Sequence, residues 1–223
     1  MPAGRSTRRV RWLVWVGALA IGALAGTLVA VLRSSPHTTA PPVDPMSSAA
    51  DATWTAGAKP APDFRLTDQT GKPISLARFR GHPVLLTFID PLCRNLCPTE
   101  AKTLERVQAE FPAAQRPAIV AVSVNRWGDA RRDLLLDARK WKLTSDWHWG
   151  VGPAPVLRRA WADYAIGVRD FPKTVAGITV HNITHTEATY LIDARGDQRA
   201  LFLYPFSASV VAETVRRLGG APS

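Results

Sequence analysis

Residues 83–110 read PVLLTFIDPLCRNLCPTEAKTLERVQAE, and this stretch decides the fold. Pro83 to Ile89 is a continuous apolar run of strand length, rich in β-formers, as expected of a strand covered on both faces of a sheet. From Pro98 to Glu110 the pattern becomes helical, with a proline suited to the first turn and an acid close behind it. Cys93 and Cys97 fall between the two, so both sulfurs are expected at a helix N-terminus. Unpaired N–H groups and the positive end of the dipole favour anions there, which lowers a thiol's pKa and raises its thiolate fraction. Arg94 adds a positive charge nearby and Asp90 a negative one.

Upstream, APDFRLTDQTGKPISLARFRG (residues 61–81) places two short alternating stretches around the turn-forming Asp68-Gln69-Thr70-Gly71, which predicts a hairpin. Downstream, the pattern predicts a strand at Ala118–Val124, a charged amphipathic helix over about Asp129–Trp141 and a further helix at Ala154–Tyr164. ATYLIDARGDQRALFLY then supplies two strands joined at Asp193–Asp197, and SASVVAETVRRLG a last helix closed by Gly219. Hairpin, β-α-β-α, hairpin and helix is an α/β order, that of a thioredoxin-like fold with an N-terminal hairpin extension, over residues 61–221.

The N-terminus differs in kind. Trp12 to Leu32 (WLVWVGALAIGALAGTLVAVL) carries no charge and matches the length of a transmembrane helix. Four arginines within residues 1–11 and one just after the span put that N-terminal stretch in the cytoplasm and the rest of the chain outside the cell membrane. A cleaved signal peptide is the competing reading, but this run is longer than the usual apolar core and ends in VLRSSP. Residues 33–60, rich in Ser, Thr, Ala and Pro, are expected to form a flexible linker. The net charge of +10 includes the five arginines around the span, and no acid lies among residues 1–33, leaving +5 for the remainder. Basic residues there are interspersed with acids and form no aromatic-laced block, so no nucleic-acid partner is expected.

With only two cysteines, four positions apart, the chain has no disulfide scaffold, and the pair points to chemistry. One residue more than C-x-x-C gives two thiolates room to splay around an ion without forbidding a disulfide. Thiolates with imidazole suit copper and also zinc. Among five histidines, His37 lies in the linker, His82 precedes the strand at its far end, and His148 in DWHW suits packing or surface. His181 and His185, in the loop-like VHNITHTEATYLID, are placed to face the cysteines, and the residues alone do not separate them.

Together these segments, with SVNRWGDARRDLLLDARKWKL, resemble the Sco/SenC family over about residues 61–218. In that family two cysteines of C-x-x-x-C and a histidine five residues before an apolar or aromatic strand residue bind copper. The resemblance therefore implies Cys93, Cys97 and, counting back from Tyr190, His185 as ligands. It implies a copper chaperone for cytochrome c oxidase assembly, with the oxidase's copper-bearing subunit or another copper protein as partner; the chain is expected to be a monomer, anchored by the span at Trp12–Leu32. The chain departs from the family in Arg94-Asn95-Leu96 between the cysteines, in Asn125 for a usual Asp, and in Thr184 for the Asp before the histidine. The alternative is a thiol-disulfide oxidoreductase using the redox pair Cys93 and Cys97. Against it, Glu187 stands about where reducing thioredoxin-like proteins carry a proline.

Overall fold

The structure is a computed structural model that describes residues 49–144 and 146–220. The expected span at Trp12–Leu32, the residues before it and most of the expected linker lie outside the described residues. Among the described residues no helix is long and apolar enough to cross a membrane.

A six-stranded mixed sheet organises the domain. Its strands are β1 (Ala52–Thr53), β4 (Val84–Ile89), β5 (Ala118–Ser123), β6 (Trp147–Gly150), β9 (Ala188–Ile192) and β10 (Gln198–Leu203), in the spatial order β1-β10-β9-β4-β5-β6. β4, β5 and β6 run parallel, and β9, β10 and β1 are joined in antiparallel register. Two hairpins stand apart from it, β2 (Leu66–Thr67) with β3 (Pro73–Ile74), and β7 (Val168–Val175) with β8 (Ile178–His185).

β4 is buried at every position because each sheet face is covered. Leu85 and Ile89 pack into one core with helices α1 (Leu96–Ala109), α2 (Arg131–Trp141) and α4 (Ala208–Leu218), through Leu104, Leu134 and Val211. Leu86 and Phe88 point into a second core with α3 (Ala154–Asp163), through Leu157, and with Leu66 and Ile74 of the first hairpin. These layers give the expected α/β, thioredoxin-like arrangement, with parallel crossovers β4-α1-β5 and β5-α2-β6.

The two predicted turns form through side-chain chemistry. Asp68 Oδ1 accepts from Thr70 N, Thr70 Oγ1 and Lys72 N (2.8, 2.6 and 3.0 Å), and Gly71 takes the left-handed φ of 86° that the turn requires. Asp193 Oδ1 likewise accepts from Arg195 N and Asp197 N.

Three differences from the sequence reading matter. Residues 52–60, read as the end of the linker, lie along the sheet: β1 pairs with β10, and Gln198 N donates to the carbonyl of Lys59 at 2.8 Å. β6 forms where only packing was expected, because Trp147 and Trp149 are large enough to fill the space beside α2. The segment read as a loop through His181 and His185 is β8, one arm of a hairpin whose residues are mostly exposed. With little buried on either face, that hairpin leaves no hydrophobic alternation to read.

Candidate metal centre

The site lies where β4 ends and α1 begins, at the carboxyl edge of the parallel strands. After Ile89 the chain turns on Asp90, whose Oδ1 accepts Leu92 N (2.7 Å) and whose carbonyl accepts Cys93 N (3.1 Å). Asn95 caps the helix, its Oδ1 accepting from Leu96 N at 2.8 Å, and Thr99 Oγ1 donates to its carbonyl. The helix thus starts two residues earlier than the sequence suggested. Pro98 falls at its third position, where a missing N–H still costs no intrahelical bond.

This start sets the two sulfurs apart. Cys97 is inside the first turn and fully buried, while Cys93 sits outside the helix, partly exposed. Cys97 N–H points to Cys93 Sγ at 3.5 Å. A hydrogen bond from the Cys97 thiol, above all, draws the Cys93 pKa far below the ordinary thiol value; burial opposes this, and backbone N–H groups at positions 95–97 assist it. Cys97 moves the opposite way, pushed up by its bond to Cys93, by burial and by the neighbouring charge. In its neutral form Cys93 Sγ also donates to Asn95 Oδ1 at 3.0 Å, a contact that ends when the proton leaves. Arg94 does not supply the stabilising charge. Its guanidinium turns to the carbonyls of Pro91 and Cys93 (3.0 and 3.1 Å) and to Asp137 at 3.9 Å.

His185 ends β8 and reaches the buried sulfur: its Nε2 is 3.9 Å from Cys97 Sγ. Nδ1 lies 3.1 Å from the carbonyl oxygen of Thr186, which can only accept. Nδ1 therefore carries the proton and Nε2 presents its lone pair to the sulfur. Burial holds the imidazole pKa below its usual value, against the pull of the Thr186 carbonyl and the charges of Asp90 and Cys93. The imidazole is neutral, as a ligand must be.

His181 is elsewhere. Its Nδ1 is 2.7 Å from Asp170 Oδ2 on β7, and its ring stacks on Trp127 with centroids 3.4 Å apart. That stack ties the exposed hairpin to the loop after β5. Trp127→Ala is expected to speed amide exchange along Ile178–His185 by about fivefold, the equivalent of about 1 kcal/mol from one ring pair. Unchanged exchange would show that the stack does not restrain the hairpin.

Glu187 completes the group, and the sequence analysis did not select it as a ligand. Single ligand atoms of Cys97, His185 and Glu187 all lie within 4.8 Å of one another. The readable signal was its spacing, two residues beyond His185 and so on the same side of an extended chain. Cys93, His185 and Glu187 open onto one cavity of about 590 Å³. Thiol, imidazole and carboxylate thus converge on one point, and the Cys93 sulfur, outside that cluster, lies against Cys97 and opens onto the same cavity; the donor set suits a soft or borderline metal ion.

The SCO1/SenC family profile matches residues 53–219. No curated protein sequence matches the chain. Among solved structures, the chain is similar to ScoI of Bradyrhizobium japonicum with copper bound, at 20% identity over 70% of this chain and 98% of that one, TM-score 0.59. Yeast Sco1 with copper bound is 14% identical over 72% of this chain and 88% of its own, TM-score 0.63. BsSco, a Sco-family cytochrome c oxidase assembly protein in which a disulfide switch is identified, is 20% identical over 71% and 92%, TM-score 0.55. At these identities the shared property is the fold.

Proposed function

The chain belongs to the SCO1/SenC family, and from that premise we propose that it is a membrane-anchored copper chaperone acting outside the cytoplasm. Copper is its cargo, held by Cys93, Cys97 and His185 and passed to the copper-bearing subunit of cytochrome c oxidase or another copper protein. The observation that carries this reading is the neutral Nε2 of His185 facing the buried Cys97 sulfur at 3.9 Å. Two thiolates and an imidazole suit copper in either common oxidation state.

Each residue has a separate task. Cys93, partly exposed and already deprotonated, is the first sulfur an incoming ion meets and the last it leaves. Cys97 surrenders its proton when the ion arrives, so loading releases a proton to solvent. His185 closes the third position from the hairpin side. Release needs no bond-making in a substrate: donors of the acceptor protein replace these one at a time. Leu96 and Leu203 stand exposed around this mouth, with Leu92 exposed at the adjoining pocket, and offer an apolar rim for that acceptor. The span at Trp12–Leu32 would keep the domain at the membrane that holds its target.

Copper titration of the full chain in detergent tests the reading. One copper per chain with thiolate-to-metal charge-transfer absorption is the expected result. His185→Ala should weaken binding by roughly ten- to a hundredfold while the sulfur bands persist. Unaltered affinity in that variant would remove His185 from the site.

A second reading, thiol-disulfide exchange, has its own support in the asymmetry of the pair: an accessible low-pKa thiol beside a buried one is the arrangement of an attacking and a resolving cysteine. Reduction of a disulfide in an oxidase-subunit peptide that survives His185→Ala would favour it. The two roles are compatible, since only the dithiol form binds copper.

A further inference from the structure

We infer that Glu187 is a fourth, oxygen ligand of the site, and that it biases the chain toward divalent metal over Cu(I). The inference rests on the copper-site reading above and deepens it.

Geometry supports it first. Ligand atoms sharing a tetrahedral ion stand roughly 3.3–3.8 Å apart, given metal–ligand bonds of about 2.0–2.3 Å. The Cys97, His185 and Glu187 atoms already fall within 4.8 Å of each other, so side-chain shifts of about 1 Å close them on an ion. The backbone holds Glu187 in place, since its carbonyl accepts Tyr204 N at 3.0 Å, and Tyr204 lines the same cavity.

Charge supports it independently. The cavity is lined by Asp90, Cys93 and Glu187, and among the described residues no lysine or arginine lines it. The Glu187 carboxyl makes no hydrogen bond or ion pair among the described residues, although it is partly buried. Arg94, next to Cys93 in sequence, is turned to the carbonyls of Pro91 and Cys93 and toward Asp137. A half-buried carboxyl with no protein partner is an oxygen donor left open to an ion entering the cavity.

The consequence follows from ligand hardness. Two thiolates and an imidazole satisfy Cu(I), which gains little from a hard carboxylate. A divalent ion gains both a fourth donor and a further negative charge. Removing that oxygen should therefore cost the divalent ion far more than Cu(I).

Co(II), a divalent ion that does not oxidise the thiols and whose d–d bands report coordination, is the probe for one arm; Cu(I) with a competing chelator is the other. Both use the full chain in detergent, wild type and Glu187→Gln. The expected result is a Co(II) affinity lower by about tenfold or more, with altered d–d bands, and a Cu(I) affinity changed by less than about threefold. An unchanged Co(II) affinity and spectrum, or equal weakening of both ions, overturns the proposal. Absence of thiolate bands in the wild type with either ion would remove the copper site itself, and this proposal with it.

Discussion

Iodoacetamide at pH 6.5 is expected to label Cys93 at least about a hundredfold faster than Cys97 in the metal-free, reduced chain. Only the thiolate reacts, and the Cys93 pKa is drawn down to about 5 while that of Cys97 is pushed upward. Cys93 is then almost wholly ionised at that pH and Cys97 almost wholly protonated. The intrinsic nucleophilicity of a low-pKa thiolate is smaller, which trims the ratio without reversing it. Burial acts in the same direction, because Cys97 is fully covered and Cys93 is not. The pH profile has a definite sign: the Cys93 rate rises as pH passes through about 5 and is flat above about 6. An ordinary thiol would still be climbing near pH 8. Cys97→Ala removes the principal hydrogen-bond donor and should move the Cys93 midpoint upward. Equal labelling of the two, or a Cys93 midpoint at the ordinary thiol value, would remove the asymmetric pair on which both functional readings draw.

Glu100→Gln is expected to stabilise the fold at pH 8 by up to roughly 3 kcal/mol and to leave it nearly unchanged at pH 4. Glu100 is fully buried on α1, one turn beyond Cys97. Its Oε1 accepts from Thr87 Oγ1 (2.6 Å) on β4 and Thr189 Oγ1 (3.0 Å) on β9, while Oε2 has no partner. Burial pushes its pKa up to about 7; the two threonine bonds oppose that, and the charges of Glu187 and Cys93 add to it. The folded chain holds this proton between the ordinary carboxyl value of 4.5 and about 7, whereas the unfolded chain releases it. Stability contributed here is therefore present below pH 4.5 and lost as pH rises through 7. Glutamine keeps the acceptor for both threonines and cannot ionise, so the loss disappears. Denaturant unfolding of wild type and variant at both pH values measures it. A wild-type minus variant difference that does not change with pH would show that Glu100 titrates normally.

The strand, cysteine loop and helix of residues 83–110 were legible because each pattern has a single physical cause. β4 is buried throughout because both its faces are covered, so all but Thr87 of its residues are apolar, and Pro98 marked the first turn of the helix that follows the cysteines. The closing turn at Asp193–Asp197 was legible for a similar reason, since Asp193 makes its own backbone bonds two and four residues on. The β7–β8 hairpin was not legible. Phe171, Val175, Ile178 and Val180 are exposed, so burial imposes no period on its sequence. β1 was missed for a different reason: its pairing depends on β10, some 150 residues away, and its own composition is that of a linker.

The amino-acid order alone determined the α/β layering, the pair of sulfurs at a helix N-terminus and the family to which the chain is similar, because local propensity and burial leave a periodic trace. The residue pattern by itself does not separate His181 from His185; the family resemblance favours His185, and the tertiary structure shows that it is the one that reaches Cys97. His181 and His185 are four residues apart on one face of β8, so alternation treats them alike, yet they are separated by roughly 13 Å along the strand. Only the junction with β9 brings His185 to Cys97 and leaves His181 against Trp127. The same junction turns Glu187 toward the site, a placement that no local preference encodes because it depends on where two distant strands of the sheet meet the start of a helix.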